Sequence, residues 1–471
     1  MARRTRLLAL ATLAMVNVIT LTAGIAVAGM LPGRLAALRI PAVAAGRVSL
    51  ASPVLPAGLP DSSMPTESGL RAALAGPLSS ASLGPDVMAM VTDPATGQVL
   101  LSESGDQTAT PASTTKLVTA VAALSALGGS ATFTTKVVSS PDGIILVGGG
   151  DPTLAVHAYP AADYPRPATL ASLAAATAAR LKAAGRTSVR LGFDTSLYSG
   201  PGLAPSWPEA YVTTGNVTQI VSLEVDQGRL TGAGAPEDSD DPYNLSARAD
   251  HPAEMAAAAF VALLKSDGII VTGTPDERTA AAGATVLASV SSPPVSAMVE
   301  QMLAESNNVI AENLARHVAI ADGQPATYSG AASAETAVLR RLGVSGGIQL
   351  VDGSGLSPDD AIAPAALVQV LDAAVSRAAL RPALASLPVA GFSGTLAGGE
   401  SVFAGIGGSA LGAVRAKTGN LDNVATLAGL VSDKDGAVLA FAIMADKVSQ
   451  LDQAAAAIDG AATNLAGCGC R

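Results

Sequence analysis

Pro111-Ala112-Ser113-Thr114-Thr115-Lys116-Leu117-Val118-Thr119-Ala120-Val121-Ala122-Ala123-Leu124 is the stretch around which the chain is organised. Its pattern predicts a helix that begins at Pro111, where a missing N–H costs nothing, and runs into the core. Leu117, Val121 and Leu124 recur at three- and four-residue spacing as an apolar stripe. Ser113 and Lys116 share one helix face, with Cβ atoms roughly 5–6 Å apart. The lysine nitrogen therefore reaches the hydroxyl, which is the arrangement of a nucleophile beside its base. Serine near a helix start is also an ordinary cap, so the pair gains meaning only if the chain supplies partners for it.

Two further short motifs follow in order, Ser306-Asn307-Asn308 and Lys417-Thr418-Gly419, and each of the three patterns occurs once. The 28 basic residues comprise seven lysines and twenty-one arginines, so two of only seven lysines fall inside these motifs. Ser113 is weak as a neutral alcohol and needs a base. Lys116 can serve if burial, the helix end and a second cation, Lys417, lower its proton affinity from the ordinary lysine value. Ser306 can relay a proton to the leaving amine, and Asn308 can orient Lys116 and a substrate amide. The N–H of Ser113 and one from the strand after Lys417 would hold the oxyanion. No metal or other cofactor is required.

Composition bounds the rest. The net charge is −10 and no basic run follows the first residues, which argues against nucleic acid as a partner. Arg3, Arg4 and Arg6 precede an apolar run from Leu7 to Ala28 with an Ala26-Val27-Ala28 cleavage pattern. This is the layout of an export signal, and it is also long enough for an uncleaved anchor. Either way the remainder is exported to the cell envelope, with membrane contact only through this segment. Cys468 and Cys470 could pair with each other, pair with another chain, or stay free. His157, His251 and His317 show no metal spacing.

The coarse reading divides the chain into residues 1–28 (signal or anchor), 29–64 (a Pro/Ala/Ser-rich linker), 65–140 and 291–471 (two parts of one catalytic domain) and 141–290 (an inserted α+β region). A helix is expected from Ser68 to Ala75, stopping at Gly76-Pro77. A hairpin is expected over 87–102, strand-like pieces through Val217 to Val225, and three antiparallel strands over 414–445 before a last helix. The fold class is α/β in the α+β sense, an antiparallel sheet flanked by helices. Gly343-Val344-Ser345-Gly346-Gly347 formally matches a hydrolase nucleophile elbow, but a helix precedes it and a strand follows, the reverse of what that elbow needs. It reads as a glycine helix cap.

Penicillin-binding proteins and class A β-lactamases carry the Ser-x-x-Lys and Lys-Thr-Gly motifs with a serine–asparagine motif between them. From about residue 65 the chain resembles the low-molecular-mass class C penicillin-binding proteins, the D-alanyl-D-alanine carboxypeptidase/endopeptidase family. Gly148-Gly149-Gly150-Asp151-Pro152-Thr153-Leu154, the Ser199 to Trp207 loop and Asp352-Gly353-Ser354-Gly355-Leu356-Ser357 look like that family's, as does the 193-residue step from Ser113 to Ser306. The resemblance implies a penicillin-binding-protein/β-lactamase-like fold with an insertion. It also implies acylation of Ser113 by peptidoglycan stem peptides, or by β-lactams acting as inhibitors. Substrate-binding residues would be Thr418, Gly419, Asn420 and Asp151, the last for a side-chain amino group, although Asp151-Pro152 reads equally as a plain turn. Two positions depart from the family. Asn420 stands where threonine is usual, and Pro358 where an arginine is usual. The departures keep one alternative open, a wall-binding protein with little or no turnover.

Overall fold

The computed structural model describes residues 63–158, 164–230, 246–397, 403 and 408–470. All lie in Val54–Arg471, one of the two units into which the chain divides. The expected export segment and nearly all of the expected linker lie outside the described residues. Among those described, no helix is long and apolar enough to cross a membrane.

Strands β1 (Asp86–Asp93), β2 (Gln98–Glu103), β9 (Val414–Leu421), β10 (Val424–Ser432) and β11 (Val438–Asp446) form an antiparallel sheet in the order β9-β10-β11-β1-β2. The first and last parts of the chain therefore meet through β1 and β11. Side chains alternate between the faces with the period of a strand. Met88, Met90, Ala440, Ala442 and Met444 pack on one side with α2 (Thr115–Ala126), α5 (Val295–Ala304), α6 (Asn308–Ala321), α7 (Tyr328–Leu342) and α8 (Pro364–Ser376). Ala89, Val91, Phe441 and Ile443 pack on the other with α1 (Glu67–Leu78) and α9 (Leu451–Ala466). With both faces covered, β10 is buried from Val424 to Val431, and only Thr426 breaks its run of apolar residues and glycine.

A second, six-stranded mixed sheet is built from β3 (Thr134–Ser140), β4 (Gly143–Val147), β5 (Ser188–Asp194), β6 (Ile270–Val271), β7 (Asp276–Glu277) and β8 (Val286–Ser291). It shares a separate apolar core with α3 (Leu170–Ala183) and α4 (Pro252–Ser266). β3, which the sequence reading put with the catalytic part, pairs here.

Three local expectations are corrected. Helix α1 continues through Gly76-Pro77 to Leu78. Pro77 cannot donate to the carbonyl of Ala73, and the Asn464 amide from α9 donates to it instead, at 2.8 Å. The stretch 217–225 forms no strand, because its backbone pairs with scattered loops: Ile220 N donates to Gly202 O and Ser222 O accepts from Gly150 N. The apolar stripe of α2 is in fact all-round burial, from Thr115 to Leu124. Gly343, at φ 91°, caps α7 in the left-handed region as expected.

Candidate active site

Ser113 lies in a single 3-10 turn, Ala112–Thr114, that leads directly into α2. The turn is clamped from two sides. Ala112 sits at φ 47°, and its carbonyl packs against the α-carbon of Gly355, itself at φ 80°, where any side chain would collide. On the other side, a Cβ on Gly419 would lie 2.7 Å from Pro111 O and 3.0 Å from Ser113 N. Thr426 Oγ1 of β10 donates to Pro111 O at 2.8 Å. The Lys-Thr-Gly strand thus runs alongside the serine.

Lys116 is fully buried. Its Nζ donates to Ser113 Oγ at 2.9 Å, to Asn308 Oδ1 at 2.6 Å and to Ser354 O at 2.8 Å. Asn308 begins α6, whose N-cap Asn307 accepts from Ile310 N. The other side of the Asn308 amide donates to Asn216 O at 2.8 Å. Ser354 belongs to the Asp352-Gly353-Ser354-Gly355 turn. Asp352 shapes that turn by accepting from Ser354 N, Gly355 N and Ser357 N, and from Trp207 Nε1 at 2.7 Å. Glu312, one turn into α6 from Asn308, accepts from Gly353 N and Ser354 N. Burial pushes the Glu312 carboxyl well above the usual range, and the Asp352 charge beside it pushes the same way.

Lys417 is also fully buried, and its Nζ donates to Thr418 O at 2.9 Å. Burial first, and then the charge of Lys116, hold it well below the ordinary lysine value. Of the two lysines, Lys116 has the richer set of acceptors.

Strand β9 is the edge of its sheet. Ala416 N donates to Pro388 O and Val414 O accepts from Ala390 N, so the even-numbered residues turn their backbone groups away from β10. The same alternation points the peptide groups of Thr418 and Asn420 off the edge. Ser113, Ser306, Asn308 and Asn420 together line a cleft of about 470 Å³, with Tyr211, Thr395 and Asp422. Ser306 takes φ 58°, a conformation few non-glycine residues adopt. Thr418 Oγ1 lies 3.2 Å from Thr395 Oγ1.

Asp151 is not brought to this cleft. It is buried, and its Oδ1 accepts from Thr153 N and Thr153 Oγ1, the local turn of an Asp-Pro-Thr sequence. Its neighbours are Gly150 and, through that residue, His317 and Tyr198. Burial raises its carboxyl to about 6. His317 is stacked on Phe133 and bonded to Gly150 O. Burial lowers it to about 4, so it is a neutral packing residue. Cys468 and Cys470 are bonded to each other, and Cys470 O accepts from Thr66 N at the start of α1. Among the described residues no cluster of His, Cys, Asp or Glu could hold a metal ion.

The sequence model of the D-Ala-D-Ala carboxypeptidase 3 (S13) family matches residues 70–237 and 229–465. Carboxypeptidase DacB of Mycolicibacterium smegmatis is 36% identical over 414 residues, which is 86% of this chain and 85% of that protein. A carboxypeptidase of Mycobacterium tuberculosis is 35% identical over 442 residues, 92% of this chain and 89% of its own length. In fold, the chain is similar to penicillin-binding protein 4 (dacB) of Haemophilus influenzae, with a TM-score of 0.66 at 23% identity, covering 85% of this chain and 98% of that one. The expected fold and enzyme class are both borne out, and the chain belongs to the D-Ala-D-Ala carboxypeptidase 3 (S13) family.

Proposed function

We propose that this enzyme is an exported serine DD-peptidase of the cell envelope that removes the terminal D-Ala of peptidoglycan stem peptides through an acyl-enzyme on Ser113. The observation that carries the reading is Lys116 Nζ at 2.9 Å from Ser113 Oγ, held in place by Asn308 and Ser354. The peptide adds along the open edge of β9 and pairs with the outward-facing peptide groups of Thr418, whose carbonyl also accepts from Lys417 Nζ, and Asn420. Its terminal carboxylate lies toward Lys417, Thr418 and Thr395. An arriving carboxylate favours the charged form of Lys417, which leaves Lys116 as the neutral amine.

Ser113 Oγ then attacks the penultimate D-Ala carbonyl while Lys116 takes its proton. The oxyanion is held by the N–H groups of Ser113 and Asn420. The C–N bond breaks as Ser306 passes a proton to the departing D-Ala amine, and the ester on Ser113 remains. Water, deprotonated by Lys116 once its first proton has gone through Ser306 to the D-Ala amine, attacks the ester, and Ser113 Oγ leaves with the proton that Lys116 then took. A cross-linked D-Ala–diaminopimelyl bond presents the same scissile amide, which is the endopeptidase form of the reaction. A β-lactam places its strained amide at the same carbonyl position and leaves a slower ester.

The division into a catalytic domain and an insertion is supported by the two sheets and their separate cores, with the insertion drawn at β3 to β8. Incubation with a stem pentapeptide and, separately, with a cross-linked dimer tests the reading. Free D-Ala from the pentapeptide, lost in Ser113→Ala, is the expected result. A wild-type chain that releases none overturns it.

A further inference from the structure

Asn308 and its neighbour Asn307 are each held on the side away from the cleft, by turns that Arg248 ties together through their backbone, while Arg229 donates to the Gln227 side chain at 3.3 Å. Asn308 Nδ2 donates to Asn216 O at 2.8 Å, and Asn307 Nδ2 donates to Gln227 Oε1 at 3.2 Å. Arg248, almost fully buried, donates through Nε and one terminal nitrogen to Gly215 O at 3.1 and 2.9 Å. Its other terminal nitrogen donates to Gln227 O at 3.2 Å. The backbone on either side is fastened too, Arg248 N to Val212 O and Ala249 N to Gly228 O.

These contacts join two turns, one closed by Thr214 N to Ala210 O and Asn216 N to Tyr211 O, the other by Gly228 N to Val225 O and Arg229 N to Asp226 O. Asp226 and Gln227 sit at φ 48° and 53°, in the left-handed region that non-glycine side chains disfavour. Gly215, at φ 83°, is the hinge of the other turn. A guanidinium suits this place because its planar fork donates to two carbonyls in fixed directions, whereas an ammonium acts as a point charge. Removing it leaves two buried carbonyls unpaired, and the Gly215–Asn216 peptide keeps only the hold of Asn216 N on Tyr211 O.

We infer that Arg248 is a positioning residue for acylation, fixing the Gly215–Asn216 turn so that the Asn308 amide is aimed at Lys116. The path runs Arg248, Gly215 O, Asn216 O, Asn308 Nδ2, Asn308 Oδ1, Lys116 Nζ, Ser113 Oγ. It joins the inserted region to the nucleophile and rests on the reading of Ser113, Lys116 and Asn308 given above.

A double-mutant cycle on the full chain tests it, with a chromogenic β-lactam resolving the maximal acylation rate from the affinity of the preceding non-covalent complex. Arg248→Met is expected to lower the maximal rate about 10²-fold, the cost of misplacing a reacting group by about 1 Å. Arg248→Lys should lie between it and wild type, with the non-covalent affinity unchanged. In an Asn308→Ala background either Arg248 substitution should add less than about twofold, because the path is already cut. If Arg248→Met fails to fold, Arg248→Lys completes the cycle. Equal losses in both backgrounds, or wild-type acylation in Arg248→Lys and Arg248→Met, overturn the proposal. An Asn308→Ala chain that acylates at the wild-type rate overturns instead the reading of Asn308 on which it rests.

Discussion

The serine is made reactive by groups that hold rather than react. The side chains we propose for the chemistry were legible, because Ser113, Lys116, Ser306, Asn308 and Lys417 carry functional groups in rare, once-only patterns. The groups that hold them were less so. Ser354 and Asn216 act through backbone carbonyls, which any residue possesses, and only a turn geometry turns a carbonyl into a site. Two substitutions probe this scale. Gly419→Ala would press a methyl group against Pro111 O and Ser113 N, so its acylation rate should fall about 10²-fold or more, measured with a β-lactam reporter. Trp207→Phe removes the indole donor to the buried Asp352 carboxylate. It should cost about 1–3 kcal/mol in denaturant unfolding.

Helix α6 organises the site at the level of elements. Its first residue enters the cleft, Glu312 supports the Ser354 turn, and Asn313 reaches back to Glu224 at 3.0 Å. The periodic helices α1 and α2 were legible to within a few residues at their ends, since periodicity alone defines a packed helix. The stretch 217–225 was misread because alternating apolar residues in an extended chain look the same whether they pair with a strand or with loops. Glu224 from this stretch is buried, and burial raises its carboxyl to about 8, against an ordinary glutamate near 4.3. The folded chain therefore keeps a proton that the unfolded chain releases. The stability this contributes is complete below about pH 4.3 and is lost as pH rises through about 8. Thermal melting should show a decline between pH 5 and pH 8 that is shallower in Glu224→Gln. An equal decline in both proteins would remove Glu224 as its source.

Among the described residues, one sheet joins the first and last parts, and Ser113, the proposed nucleophile, sits where β9 meets α2. The meeting of β1 with β11 was legible from the order of motifs, since Ser113 and Lys417 must come together. The anchoring of the C-terminus was not. Cys468 is buried in the core shared by α1 and α9, and Cys470 O accepts from Thr66 N, although short cysteine spacing gave no reason to expect the tail to dock. Deleting residues 468–471 should lower the melting temperature by about 1–3 °C, the shift of about 1–2 kcal/mol in a folded chain of this size. The acylation rate at 25 °C should stay unchanged, because the tail touches none of the cleft residues.

The central claim is that Ser113 is the acylated nucleophile. Incubating the full chain with labelled penicillin, digesting it and mapping the adduct by peptide mass tests this most directly. A single penicilloyl group on the peptide containing Ser113, absent from Ser113→Ala, is the predicted result. An adduct on another residue, or one that persists in Ser113→Ala, would contradict the account.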